Sequence, residues 1–156
     1  MNDREREKQR LLERMMRLCS LSEHCIGDIR KKIERVNPDW CDEIVGRLCK
    51  EGYINEMRYA AAFARDKSSL AGWGSAKIKV ALYAKGIDPS VIENALGEID
   101  DVAVRKRLSA LLSSKWKSLE RESDPYKRKA KLFRYALGRG YDYAQINKEY
   151  DNIRGN

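Results

Sequence analysis

Long apolar runs are missing from this chain of 156 residues: the longest, Tyr59 to Ala64, is six residues and mostly alanine. A bilayer-crossing helix needs about 20, so no membrane association is expected. The first residues, Arg4, Arg6, Lys8 and Arg10 among Glu5 and Glu7, do not form the apolar core of a signal peptide, and a cytoplasmic location is expected. Histidine occurs once, at His24, and the four cysteines (Cys19, Cys25, Cys41, Cys49) form no Cys-x-x-Cys pair, which disfavours a zinc site. Four reduced thiols are expected instead, with Cys41 and Cys49 packed beside Ile44, Val45 and Leu48, and His24 solvated in the first turn of a helix. Also absent are a phosphate-binding glycine loop, a Gly-x-Ser-x-Gly turn and a helical His-Glu-x-x-His. A non-enzymatic chain with no cofactor is the expectation. No stretch sustains strand-like alternation between hairpin turns, so the chain reads as all-α.

What the chain does contain is an internal repeat. Lys77-Ile78, Leu82, Lys85-Gly86-Ile87-Asp88 and Ile92 return 54 residues later as Lys131-Leu132, Ala136, Arg139-Gly140-Tyr141-Asp142 and Ile146. A helix, a glycine stop, a new cap and a second helix in fixed register mark a helical repeat whose units bury their apolar faces against one another. The first third fits the same template less closely: Ile29 matches Ile78 at an offset of 49, and Ile44 matches Ile92 at 48.

Helix starts and stops place about nine helices in three tandem three-helix units, 1–53, 54–98 and 99–156, stacked into an elongated, curved, right-handed type of array with no sheet. Residues 4–18 carry Leu11, Leu12, Met15, Met16 and Leu18 on a broad apolar face. A second helix opens at Ser22 or Cys25, and Asp39 is expected to cap a third, with Trp40, Ile44, Val45 and Leu48 inward. Asp88-Pro89 and Asp124-Pro125 each pair a cap with proline at the first helical position. The helix after Pro125 is expected to bury Tyr126, Ala130, Phe133 and Leu137. Asp142 and Gln145 form a capping-box variant for a last helix from Tyr143 to about Tyr150, with 152–156 fraying.

Charge is unevenly placed. Residues 105–139 hold twelve cations and three anions, a surplus of nine in a chain whose net charge is +8. Within this stretch Lys127, Lys131 and Arg134 fall on one helical face, with Arg128 alongside and Arg139 one turn past the end; Arg105, Lys106, Arg107, Lys115 and Lys117 widen the patch. Like charges at such spacing cost an isolated helix about 0.2–0.5 kcal/mol per pair. A phosphate backbone or an acidic protein groove turns that cost into attraction, while a simply solvated face is the commoner fate of a lysine run. Trp116, Tyr135 and Tyr143 lie among these cations, able to stack on bases or, more commonly, to pack between helices. Trp73, between two glycines, reads as a plug between units.

Asp28-Ile29, Lys32-Ile33, Gly52-Tyr53-Ile54, Arg58-Tyr59-Ala60, the Gly74 to Ile87 string and Arg139-Gly140-Tyr141 together resemble the RecX family of recombination regulators over roughly residues 10–150. Cys25 stands where the family usually has a serine opening the second helix, and Glu56 where it often has an aspartate. The resemblance implies a helical protein that binds the RecA nucleoprotein filament on single-stranded DNA and inhibits its ATP hydrolysis and strand exchange. It also implies no cofactor and no reaction catalysed by this chain; a monomer is expected, with direct DNA contact open. The alternatives are a general DNA-binding protein of helix-turn-helix-like units, disfavoured because no recognition helix stands out, and a scaffold that binds protein alone.

Overall fold

In the computed structural model, which describes residues 1–154, most of the helices begin where an Asx side chain precedes them. Helix α1 spans Asp3–Leu21, and its Asn2 and Glu5 side chains cap each other's backbone N–H groups. Asn55 caps α4 (Glu56–Ser69) and Asp100 caps α7 (Asp101–Ser118). All three prolines of the chain follow an Asx cap and open a helical turn. They are Pro38 in a short 3-10 turn, Pro89 at the start of α6 (Pro89–Gly97) and Pro125 at the start of α8 (Pro125–Gly138). Proline there has φ already set and forfeits no intrahelical bond.

The third helix departs from expectation for that reason. Asn37, not Asp39, accepts the capping bond; Asp39 lies inside the 3-10 turn Pro38–Trp40, and α3 (Cys41–Lys50) starts directly after it. Helix α9 (Tyr143–Arg154) opens with the reciprocal Asp142–Gln145 box and runs on past Tyr150, so 152–154 are helical; the expected fraying of 155–156 lies outside the described residues.

Nine α-helices and no strand occur among the described residues. They pack as three groups, α1–α3, α4–α6 and α7–α9, around three apolar clusters. The repeat holds at its matched apolar positions. Ile78 and Leu132, Leu82 and Ala136, Ile87 and Tyr141, and Ile92 and Ile146 are all buried, as are Ile29 and Ile44. Two residues cross the boundaries drawn from sequence: Cys25 packs in the second cluster and Ile54 in the first. Cys41 is buried as expected but Cys49 is exposed. His24 sits in the segment between α1 and α2 rather than in a helix, its Nδ1 2.9 Å from the Ser22 carbonyl oxygen.

Helices α2 (Ile26–Glu34) and α5 (Ser75–Ala84) are equivalent in the repeat, and neither has a side-chain cap of its own. Each is instead met by the group that follows. At α5 the Arg139 and Gly140 carbonyls accept the Gly74 and Ala76 N–H groups at 2.7 and 3.0 Å, filling sites a helix start leaves open. The backbones approach so closely that a Cβ on Gly74 would lie 2.4 Å from the Gly140 carbonyl, and Gly140 itself adopts φ +97°. The Tyr141 hydroxyl donates to the Gly72 carbonyl across the same seam.

At α2, the Glu56 carboxyl of α4 faces the Ile26 backbone N–H; burial pushes its pKa up, opposed by that bond. Here Lys85, the repeat counterpart of Arg139, forms an ion pair with Asp28 at 3.0 Å. Burial raises the Asp28 pKa, but the Lys85 ammonium outweighs it and the net shift is downward.

Gly74→Ala is expected to cost about 2–3 kcal/mol, because backbone rather than a flexible side chain must move. Gly46→Ala, mid-helix in α3 with open space around it, is expected to gain about 0.5–1 kcal/mol. Thermal unfolding of the two variants distinguishes a seam that excludes Cβ from a general intolerance of alanine. The lowered Asp28 pKa means its contribution is present above the unfolded value of about 3.9 and lost as pH falls through the folded value. The pair is partly exposed, so the effect is screened to less than about 1 kcal/mol. It should be read as a smaller acid-induced loss of stability in Asp28→Asn than in the parent chain.

Candidate functional site

Helix α8 is rotated relative to expectation. Leu132, Phe133 and Ala136 form its buried stripe, while Tyr126 is 86% exposed and Leu137 47% exposed. The repeat supplies the reason: Leu132 and Ala136 occupy the positions of Ile78 and Leu82, and the core contacts hold that register over the local apolar count. This rotation leaves Lys127, Lys131 and Arg134 along the outward ridge, all exposed, because residues four and three apart share a helical face. Tyr126, Ala130 and Leu137 flank the ridge on one side, together with Tyr143, which is 59% exposed with its ring 5.3 Å from that of Phe133. Cations, aromatic faces and exposed apolar groups thus adjoin one another.

One ridge cation is already matched. Lys131 Nζ lies 2.6 Å from Glu122, and this ammonium, with the Asp124 backbone N–H, holds the Glu122 carboxyl below the usual range. Lys127 and Arg134 have no ion-pair partner among the described residues.

The other candidate cations divide by what they touch. Arg128 stacks on Trp116, its guanidinium carbon 3.7 Å from the ring centroid, and donates to the Trp116 carbonyl at 2.6 Å. Arg139 donates to the Ala71 carbonyl at 2.9 Å and to the Tyr135 hydroxyl at 3.2 Å, bracing the α5 seam. Arg107 reaches from α7 to the buried Ser68 of α4 at 2.7 Å. These three half-buried guanidinium groups tie neighbouring segments of the fold together. Arg105 is exposed and lines a separate cleft with Asp101, Asp142, Lys148 and Glu149, away from the α8 ridge. Lys106 and Lys117 are exposed on α7, and helical spacing places them on its outward face. Lys115 covers the Tyr135 ring at 4.8 Å.

The aromatics follow the same division. Trp116 and Tyr135 are packed under cations, whereas Tyr143 remains open. Trp73 lies between the Lys67 and Lys77 ammonium groups at 4.7 and 4.5 Å, next to the α5 seam. Sequence reasoning missed the exposed Tyr126 and Leu137 by reading them as core; applying the 54-residue register to Leu132 would have found them.

Residues 55–96 match the family model described as "RecX, second three-helix domain", and residues 105–148 match "RecX, third three-helix domain". The chain belongs to the RecX family. The RecX chain of Clostridium perfringens (strain 13 / Type A), named "Regulatory protein RecX", is 34% identical over 104 residues, which is 66% of this chain and 48% of that one. The chain therefore spans about half the length of the curated relatives it matches. A crystal structure of RecX from Lactobacillus salivarius superposes with TM-score 0.80 at 20% identity, covering 94% of this chain and 96% of that one. A second crystal structure, of a regulatory protein RecX, gives 0.81 at 20% identity and covers 96% and 72%. At that identity these two establish the RecX fold alone. The Gly74 and Arg139-Gly140-Tyr141 strings, read from sequence as RecX-like, are the two sides of the seam described above.

Arg139→Ala is expected to lower stability by about 2 kcal/mol, since it removes two hydrogen bonds from a charged donor. For a chain of this size that is a melting shift of roughly 4–8 °C. Lys127→Ala, on the outward ridge, should change melting by less than about 0.5 kcal/mol. Circular dichroism melts of both variants check the division between bracing and outward cations.

Proposed function

We propose that this chain is a negative regulator of homologous recombination that binds the RecA nucleoprotein filament and restrains its ATP hydrolysis and strand exchange. On this reading the division into units 1–53, 54–98 and 99–156 lets successive units meet successive parts of a filament. The ridge Lys127, Lys131 and Arg134 faces DNA phosphates or acidic protein in the groove. Membership of the RecX family supports the choice of partner, and the outward, exposed placement of these three cations is the single observation that carries the choice of surface.

Tyr126 and Tyr143 beside the ridge supply aromatic faces for exposed bases, a sequence-tolerant contact that adds to phosphate attraction. Glu122 competes with the polyanion for Lys131, so binding by this surface exchanges one internal ion pair for an external one. Bracing by Arg128 and Arg139 keeps the ridge's parent helix oriented without itself contacting the partner. The chain acts in this scheme as a binding protein and brings no reactive group of its own.

The test is titration of this chain into preformed RecA filaments on single-stranded DNA while ATP hydrolysis is followed, with binding to the naked strand as control. Preference for the coated strand and falling hydrolysis are expected. Equal binding to coated and naked strands, or duplex binding indifferent to the recombinase, overturns the reading in favour of a general DNA-binding protein. Combined Lys127→Gln, Lys131→Gln and Arg134→Gln is expected to leave helicity intact and to flatten the salt dependence by up to about 0.7 in log–log slope per lost single-strand phosphate contact. Glu122→Gln, which frees Lys131, should act in the opposite direction and tighten binding at low salt.

A further inference from the structure

The other end of the molecule carries a basic surface of different construction. A groove of about 410 Å³ is lined by the C-terminal part of α1 and the end of α2. Its floor is apolar: Met15, Leu18, Leu21 and Val36, with Leu21 79% exposed and Val36 41% exposed. Its rims are Arg14 and Arg17 from α1 and Lys32 and Arg35 from the end of α2, and no carboxylate lines it.

None of these four cations has an ion-pair partner among the described residues, although ten ion pairs form elsewhere in the chain. Neither neighbouring acid lines the groove: Glu13 accepts from Gln9, and Glu34 is absent from the lining. Lys32 and Arg35 complement the negative end of the α2 dipole, but that leaves Arg14 and Arg17 without a structural task.

We infer that this groove docks an amphipathic acidic segment of a protein partner, its apolar side chains seated on Leu18, Leu21 and Val36 and its carboxylates meeting the four rim cations. Apolar anchors in a concave groove with charge at the rim are the pattern by which a helix is taken up by a helical host. A nucleic acid satisfies the rim but leaves the apolar floor in water. A second copy of this chain, with net charge +8, offers the wrong overall sign. Burying the floor supplies affinity, and the rim selects acidic over basic partners. The surface belongs to α1 and α2, apart from the α8 ridge, and the inference does not depend on the recombinase filament being the target.

The experiment uses the whole chain and a fluorescein-labelled synthetic peptide of about 14 residues, with leucines at helical spacing and glutamates elsewhere, followed by fluorescence anisotropy. Saturable binding is expected, weakened at least about tenfold by Leu21→Glu and by Arg14→Glu combined with Arg17→Glu. Both sets of residues are exposed, so the melting curves should match the parent. Combined Lys127→Gln, Lys131→Gln and Arg134→Gln should leave the peptide's affinity unchanged. Several results overturn the inference: a scrambled or all-glutamate peptide binding equally well, peptide affinity indifferent to Leu21→Glu, or a single-stranded oligonucleotide binding in a manner sensitive to Leu21→Glu. Self-association lost in Leu21→Glu, or flotation on phosphatidylglycerol vesicles exceeding peptide binding, overturns it as well.

Discussion

The start of α5 rests on the turn between α8 and α9 with two glycines back to back, and this contact joins the second and third groups backbone to backbone. Backbone N–H groups at Gly74 and Ala76 have no partner in their own helix; the Arg139 and Gly140 carbonyls supply one. An unpaired N–H in a closed seam costs about 1–3 kcal/mol, so the two groups cannot separate there without loss. Two hydrogen bonds of fixed direction also set orientation, which apolar contact alone does poorly because it is non-directional. The α2 junction solves the same problem with other chemistry. Glu56 meets the Ile26 N–H, and Lys85 binds Asp28 where the later seam relies on close backbone contact. One register is therefore held at the first joint by an ion pair beside a close approach of Gly27 to the Lys85 carbonyl, and at the second by the tighter Gly74–Gly140 packing.

That second joint also decides which cations are available. Arg139 is drawn into it, and Arg107 and Arg128 brace the helices on either side. Guanidinium suits this work: its planar fork donates to carbonyls in fixed directions while its face stacks on Trp116. The cations left exposed in the basic stretch include lysines and arginines alike, and on the α8 ridge two flexible ammonium groups, Lys127 and Lys131, stand beside the Arg134 guanidinium.

Much of the fold was legible because its determinants are local. Asx-Pro starts, glycine stops and apolar residues at helical spacing act within a few residues of themselves, and the 54-residue repeat then ties Ile78 to Leu132 and Ile92 to Ile146. The face of α8 was misread where hydropathy was counted inside one helix: Tyr126, Ala130 and Leu137 look like core partners of Phe133, yet the register carried over from Ile78 and Leu82 rotates them outward. Asp39 was misplaced because Asn37 caps first and Pro38 fixes the turn. The bracing roles of Arg107, Arg128 and Arg139 had no sequence signal, since their acceptors, Ser68 and the Trp116 and Ala71 carbonyls, lie 12 to 68 residues away. The RecX-like strings flanking the α5 seam did carry information, but only folding shows that they touch.

Bracing and attraction are separable properties of a charged side chain. Arg107, Arg128 and Arg139 donate to neutral oxygens, which satisfy hydrogen bonds without cancelling charge; in the 105–139 stretch Lys131 alone has a carboxylate within ion-pair distance among the described residues. The inward arginines thus still contribute to the field outside the protein. Over a Debye length of about 8 Å at physiological salt, a polyanion approaching the α8 ridge feels them together with Lys127 and Arg134. Contact falls to few residues while steering is shared by many, so the charge of this region exceeds what its accessible surface alone would suggest. The groove at α1 and α2 has the converse arrangement, four cations with no bracing partner around an uncovered apolar floor, where close fit rather than field determines what binds.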